Sequence, residues 1–246
     1  MNYKICLLFW KNSQFQIGLK TLKIAREDTN FSRDYSPFVL LFSQLLQIFT
    51  TFTLAMVVDI HTHNTQTHAQ TPVTVGVHPW HALNNDIAEV EAKATEVDAI
   101  GEIGLDFACD APRERQIAIF RVQLDIAERV QKPVVLHCVR AFEEVIKILS
   151  EYRLPTVIFH GFIGSVEQAQ RAVAEGYYIS FGERTFRSPK SIEAMRSTPL
   201  SHLFVETDES PTPIEDIYAK IAILRGISTS ELLQATERNF QAIFNS

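Results

Sequence analysis

Six side chains that could do chemistry together lie far apart in the chain, each at the end of a short apolar run. His61 and His63 follow Val57-Val58-Asp59-Ile60. In an extended strand alternate side chains share a face, so the two imidazoles project the same way, with Thr62 opposite. Neutral imidazole is a common metal ligand. A His-x-His alone reads more readily as two polar residues in a turn, so further ligands must come from elsewhere. Glu102 lies within Ala99-Ile100-Gly101-Glu102-Ile103, and His137 ends Pro133-Val134-Val135-Leu136. His160 ends Pro155-Thr156-Val157-Ile158-Phe159, and Asp208 follows Leu203-Phe204-Val205-Glu206-Thr207.

A buried carboxylate between Gly101 and Ile103 is costly unless it is paired or holds a metal. Imidazole and carboxylate together suit Zn²⁺ or Mn²⁺, with Mg²⁺ less natural at the imidazole-rich end. Six ligands exceed what one catalytic ion with an open position requires. They suit two divalent ions, which could clamp the attacking and leaving oxygens of a displacement at phosphorus. Plainer readings stand beside this one: His137 and His160 as hydrogen-bonded core histidines, Asp208 as a turn cap. Glu206, on the same face as Asp208 but deeper, is expected to orient a ligand from behind. His78 and His81 flank Pro79-Trp80 in a loop; His78 is a candidate substrate contact, and a surface turn is the alternative. His68 and His202 receive no role. Cys138 follows His137 and must point the other way.

The elements that would position these residues alternate between strand and helix. Apolar periodicity predicts helices over 86–97, 112–131 and 141–152. Ser165 can cap the next and Gly176 end it; Ser188-Pro189 and Thr212-Pro213 open two more, and Ser228 with Glu231 caps the last. Strand followed by helix, repeated, implies a parallel sheet with helices outside. In a TIM-barrel-like (β/α) barrel, chemistry sits where strands end, and the six candidates fall there. Seven strands are recognisable rather than eight. About ten residues separate His63 from Val73, too few for a crossover that needs roughly a dozen. A distorted or incomplete α/β barrel is therefore expected.

Length and composition allow this. The 246 residues suffice for one barrel-sized domain or two small ones, and 46% hydrophobic content is ordinary for a globular protein. A net charge of −6 argues against tight non-specific duplex binding and leaves room for a local basic rim. Three widely spaced cysteines without a C-x-x-C read as reduced thiols, hence a cytoplasmic chain. Residues 1–55 stand apart as an extension. Within them residues 36–58 carry no charge and are long enough to span a membrane, but Ser43, Gln44, Gln47, Thr50, Thr51 and Thr53 interrupt the run. An appended or mis-started segment, with the barrel at 56–246, is preferred over a docking element or a membrane anchor.

From Met56 onward the chain resembles the TatD family of metal-dependent hydrolases. The matching motifs are Asp59-Ile60-His61-Thr62-His63, Gly76-Val77-His78-Pro79, Gly101-Glu102-Ile103-Gly104-Leu105-Asp106, Leu136-His137-Cys138, His160-Gly161-Phe162-Ile163-Gly164 and Glu206-Thr207-Asp208. The resemblance implies a distorted (β/α)8 barrel with one or two divalent ions and deoxyribonuclease or phosphodiesterase activity. By motif position His61 and His63 hold one ion with Asp208, Glu102 bridges, and His137 and His160 hold the second. Asp208 also takes the proton of the attacking water. The family's second strand and helix are absent here. Its arginine two residues after the fourth-ligand histidine appears one position later, as Arg140, a candidate substrate contact. Arg184 and Arg187 could likewise steady a phosphate. The expected substrate is DNA, single-stranded or at 3′ ends, or a small phosphodiester, with no obligate protein partner and no membrane association. Alternatives are hydrolysis of a small ester, lactone or amide, and a non-catalytic module that keeps its metal.

Overall fold

The computed structural model of the chain describes residues 4–11, 14–21, 56–83 and 87–245. It divides into two compact units, Met1–Thr53 and Leu54–Ser246. In the first, β1 (Lys4–Lys11) and β2 (Gln14–Thr21) pair antiparallel, with Lys4 opposite Thr21 and Lys11 opposite Gln14. Residues 36–55, most of the uncharged apolar run, lie outside the described residues. Among those described, no helix is long and apolar enough to cross a membrane.

The second unit is built on six parallel strands in chain order: β3 (Thr74–Val75), β4 (Ala99–Asp106), β5 (Val134–Val139), β6 (Val157–Phe159), β7 (Tyr178–Phe181) and β8 (Leu203–Val205). Parallel neighbours need crossovers. These are supplied by α1 (Ile87–Lys93), α2 (Arg113–Val130), α3 (Phe142–Leu149), α4 (Val166–Ala174) and α5 (Pro189–Ser197). After β8 come α6 (Ile214–Arg225) and α7 (Thr229–Phe244). A sheet covered on both faces reads as continuous apolar strands, and Val134, Val135 and Leu136 are all buried. Val134 and Leu136 pack into the large core with the helices. Val135 joins Val58, Ile60, Ala99, Ile158, Phe204 and Phe240 in a separate cluster. Alternation therefore turns Val135, and with it His137, to the face away from the crossover helices, where Phe240 of α7 also packs.

Caps fix the helix ends. Ser165 accepts from the Gln168 amide while the Gln168 side chain returns to the Ser165 amide, a reciprocal capping box. Gly226 closes α6 in the left-handed region, φ 68°. The helix expected over 86–97 ends at Lys93 and loosens into a turn, where the Glu96 amide reaches back to the Lys93 carbonyl.

Residues 57–63 do not form a regular strand. They continue the sheet past β8 instead: the Ile60 amide donates to the Val205 carbonyl (3.1 Å), and the Asp208 amide to the His61 carbonyl (3.0 Å). On its other side this run exchanges bonds with Gln70, Asp59 N to Gln70 O at 2.9 Å and Gln70 N to Val57 O at 2.8 Å. The seven expected strands thus become six plus a hydrogen-bonded segment. The connection after His63 is short, so it folds back beside its own strand rather than over a helix. The sheet stays open there, and a cavity of about 560 Å³ lies between this segment and β3, lined by Ile60, His61, Thr71, Val75, Val90 and Glu102 among others.

Candidate metal centre

Each expected ligand is aimed by backbone. Between Ile100 and Ile103 the register of β4 against β5 shifts: Ile100 faces Val134, but Ile103 faces Leu136. The bulged strand carries an extra residue, and bulges re-aim side chains. Ile100 and Ile103 both stay in the helix-side core, and Glu102 turns to the site. Gly104 then lies opposite His137, so close that a Cβ would sit 2.0 Å from the His137 carbonyl oxygen. Asp208 adopts a left-handed φ of 55°. The turn before it is fixed by buried Asp59, which accepts from the Thr207 amide (2.9 Å) and hydroxyl (2.7 Å). Burial pushes Asp59 up to about 6, against the pull of these bonds.

The two oxygens of Glu102 face two groups of imidazoles. Oε1 is 3.7 Å from His61 Nε2 and 3.5 Å from His63 Nε2. The same two nitrogens stand 3.8 and 3.6 Å from Asp208 Oδ1. Oε2 is 2.6 Å from His160 Nε2, 3.4 Å from His137 Nδ1 and 3.8 Å from His78 Nε2. His61, His137 and His160 are buried, whereas the His63 side chain is 52% exposed at the mouth.

Electrostatics follow from this crowding. Burial alone would raise the Glu102 carboxyl, but hydrogen bonding to His137, His160 and His61 outweighs it and holds the group far below the usual carboxylate range. His160 is opposed by burial and still pushed up by Glu102 and Glu206. The Glu206 carboxylate is 3.9 Å from His160 Nδ1, so it acts through charge rather than a hydrogen bond. Ser180 hydrogen-bonds its other oxygen. Burial drives His78 down to about 4. Burial and the neighbouring Glu206 raise Asp208.

The donor set fits divalent cations. His61 Nε2 and His160 Nδ1 are buried without a hydrogen-bond partner, which is costly unless something else is held there. Atoms sharing an ion at about 2.0–2.2 Å stand roughly 3–4 Å apart, as the nitrogens of His61, His63, His78 and His137 do from Glu102. Four triads have the compactness to hold an ion: His61, Glu102 and His160; His61, His63 and Asp208; His78, Glu102 and His137; His160, Glu206 and Asp208.

The six expected ligands therefore converge, with Glu206 behind His160. His78, expected as a substrate contact, is drawn in beside Glu102 and His137. Arg140 does not line the metal pocket; it lines a neighbouring cavity with Phe107 and Arg113. Arg184 does line that pocket, a space of about 210 Å³ shared with His63, Trp80 and Asp208. His68 pairs with Glu215 (2.6 Å), and His202 packs against Tyr178, 5.2 Å between ring centroids. Sequence reasoning gave Asp106 no role. Its Oδ2 accepts from the Trp80 indole (2.7 Å) and lies 3.3 Å from His137 Nε2. Like the others it is a carboxylate at a strand end, which was the signal available.

A family model described as TatD related DNase matches residues 43–245, beginning upstream of Met56. The uncharacterized metal-dependent hydrolase YjjV of Escherichia coli (strain K12) is 34% identical over 173 residues, covering 63% of this chain and 67% of that protein. The 3'-5' ssDNA/RNA exonuclease TatD of Salmonella typhimurium is 32% identical over 202 residues, covering 70% and 76%. The crystal structure of the Escherichia coli YjjV protein superposes with a TM-score of 0.65 at 31% identity, covering 72% of this chain and 77% of that one. A TatD family hydrolase from Entamoeba histolytica, 19% identical with a TM-score of 0.61 over 82% and 80% of the two chains, shares the fold. With a barrel-like parallel sheet, converged candidate metal ligands and a match across most of its length, the chain belongs to the TatD related DNase family of metal-dependent hydrolases.

Proposed function

We propose that this protein is a two-metal phosphodiesterase that cleaves single-stranded DNA. The observation that carries the reading is Glu102, one carboxylate whose two oxygens face separate histidine groups, the arrangement two neighbouring cations require. His61, His63 and Asp208 would hold one ion, His137 and His160 the other, and Glu102 both, with Zn²⁺ or Mn²⁺ suited to the mixed imidazole and carboxylate donors. Divalent ions there supply Lewis acidity toward a phosphate oxygen and acidify water.

The chain's own residues do the rest. Asp208, beside the ion it would help to hold, accepts the proton of the attacking water. As water adds to phosphorus in line, the opposite P–O bond breaks; the leaving oxygen takes a proton from solvent to become a hydroxyl, and Asp208 returns its proton to solvent. Arg184, in the same pocket, neutralises the phosphate. Trp80, half exposed at the rim and tied to Asp106, offers a ring to the terminal base. The relatives named as single-strand exonucleases support this substrate class, and the unpaired Cys109 and Cys138 support a cytoplasmic setting. Purified protein with Mn²⁺ should degrade a single-stranded oligonucleotide, and His137→Ala should abolish this. A variant that cuts as fast as its parent would assign the activity to a contaminant.

A further inference from the structure

The cavity that Arg140 lines holds about 750 Å³ and shares no lining residue with the metal pocket. That volume lies within the roughly 300–1,000 Å³ range of ligand sites. It begins one residue further along two strands. Asp106 and His137 meet at the metal pocket, while Phe107 and Cys138 line the cavity. Three exposed cations stand around it: Arg113 at the start of α2, Arg140 after β5 and Lys190 in the first turn of α5. Among the described residues, the ion pairs of arginine and lysine all involve other side chains.

Of the acids nearby, Glu143 is held by Arg171 at 2.5 Å. Glu144 on the cavity wall and Glu167 near Lys190 remain, two carboxylates against three cations. The Arg113 guanidinium lies 4.5 Å from the centre of the Phe107 ring, a contact that restrains its side chain and leaves N–H donors for a ligand. Exposed Ile163 adds apolar surface. Cations interleaved with an aromatic ring are the chemistry by which proteins hold single strands. The positive charge here is local, since the whole chain carries −6.

We propose that this cavity binds the backbone of a single-stranded polynucleotide whose cleaved phosphate lies in the metal pocket. Arg113, Arg140 and Lys190 take phosphates remote from the reaction, and the Phe107–Arg113 pair takes a base. The inference rests on the nuclease reading for the identity of its ligand. It requires no divalent ion in the cavity itself, so binding persists without metal.

Fluorescence anisotropy of a labelled oligothymidylate, with the full chain in EDTA, tests it. Parent protein binds. Arg140→Ala and Lys190→Ala each weaken binding about tenfold and flatten the dependence of log K on log salt by about 0.7, the single-strand value per phosphate contact. Lys190→Glu, at an exposed position, weakens it further at an unchanged thermal midpoint. With Mn²⁺ restored, the preference in kcat/KM for the long oligonucleotide over a dinucleotide falls with the same substitutions. Absence of parent binding in EDTA, or variants with the parent's affinity and salt slope, overturns the inference. Parallel loss on long and short substrates also overturns it, as a merely structural effect. Binding that shows these losses while no nucleic acid is cut sinks the nuclease reading and keeps the cavity. Dinucleotide cleavage with variants that bind like the parent does the reverse.

Discussion

Gly104→Ala is the substitution for which the geometry allows a magnitude. Gly104 lies opposite His137 in the β4–β5 ladder at a φ of +141°. An added Cβ would meet the His137 carbonyl oxygen at 2.0 Å, the carbonyl carbon at 3.0 Å and the amide nitrogen at 3.2 Å. All three are backbone atoms of a buried strand, so no side chain can swing aside. Overpacking costs about 1–3 kcal/mol and a backbone region that only glycine occupies readily about 1–3 more, so about 2–6 kcal/mol together. That is a large share of the roughly 5–15 kcal/mol holding a typical domain. Relief to 3.0 Å means parting the strands by about 1 Å, directly at a proposed ligand. A displacement of that size costs about 100-fold in rate. Thermal unfolding should show a lowered midpoint, and Mn²⁺-dependent cleavage should fall about 100-fold in whatever fraction stays folded. An alanine variant with the parent's midpoint and turnover would refute both the close approach and its role in placing His137.

Asp106→Asn should weaken metal affinity by about 10–100-fold although Asp106 touches no proposed ion position, because it holds the far nitrogen of His137; unchanged affinity by calorimetry would remove it from the site. His160 in the metal-free protein is opposed by burial yet pushed up to about 10 by Glu102 and Glu206. A raised histidine stabilises fully below its ordinary value of 6.5 and loses that stabilisation as pH rises through about 10. A coordinating imidazole must be neutral, so Mn²⁺ uptake at about pH 7 should release protons and tighten as pH rises; calorimetry in buffers of differing ionisation enthalpy counts them, and zero release contradicts the pairing. Burial pushes the Cys138 thiol up to about 12, so the folded protein at about pH 8 should resist iodoacetamide there until it is denatured. Cys138 is half-buried in the cavity wall, so rapid alkylation of the native thiol, seen by mass spectrometry, would contradict the raised value.

The strands were legible because parallel, doubly covered strands must be apolar, and proline starts or histidine ends bracketed two of them. That logic located His137 and His160 without any structure. It could not aim Glu102, since the register shift that turns it inward depends on β5 as much as on β4. Nor could it separate Arg140 from Arg184. Arg140 has a left-handed φ of 51°, and a loop's local twist decides which cavity a long side chain reaches. The Trp80–Asp106–His137 chain joins three elements far apart in the polypeptide, and no spacing within one of them announces it. Residues 57–63 carried the clearest motif and the least regular backbone. They are held by a few isolated hydrogen bonds to Val205, Asp208 and Gln70 rather than by a ladder.

The sheet left open beside that segment gives Glu102 two doors. One is the pocket mouth it shares with Arg184 and Trp80; the other is the lateral space toward Val75 and Val90. A nucleic acid strand lying across the mouth would close the first and leave the second. Ions and water would then have a side path to the same carboxylate, and the centre could exchange its small occupants without first letting go of a long polymer.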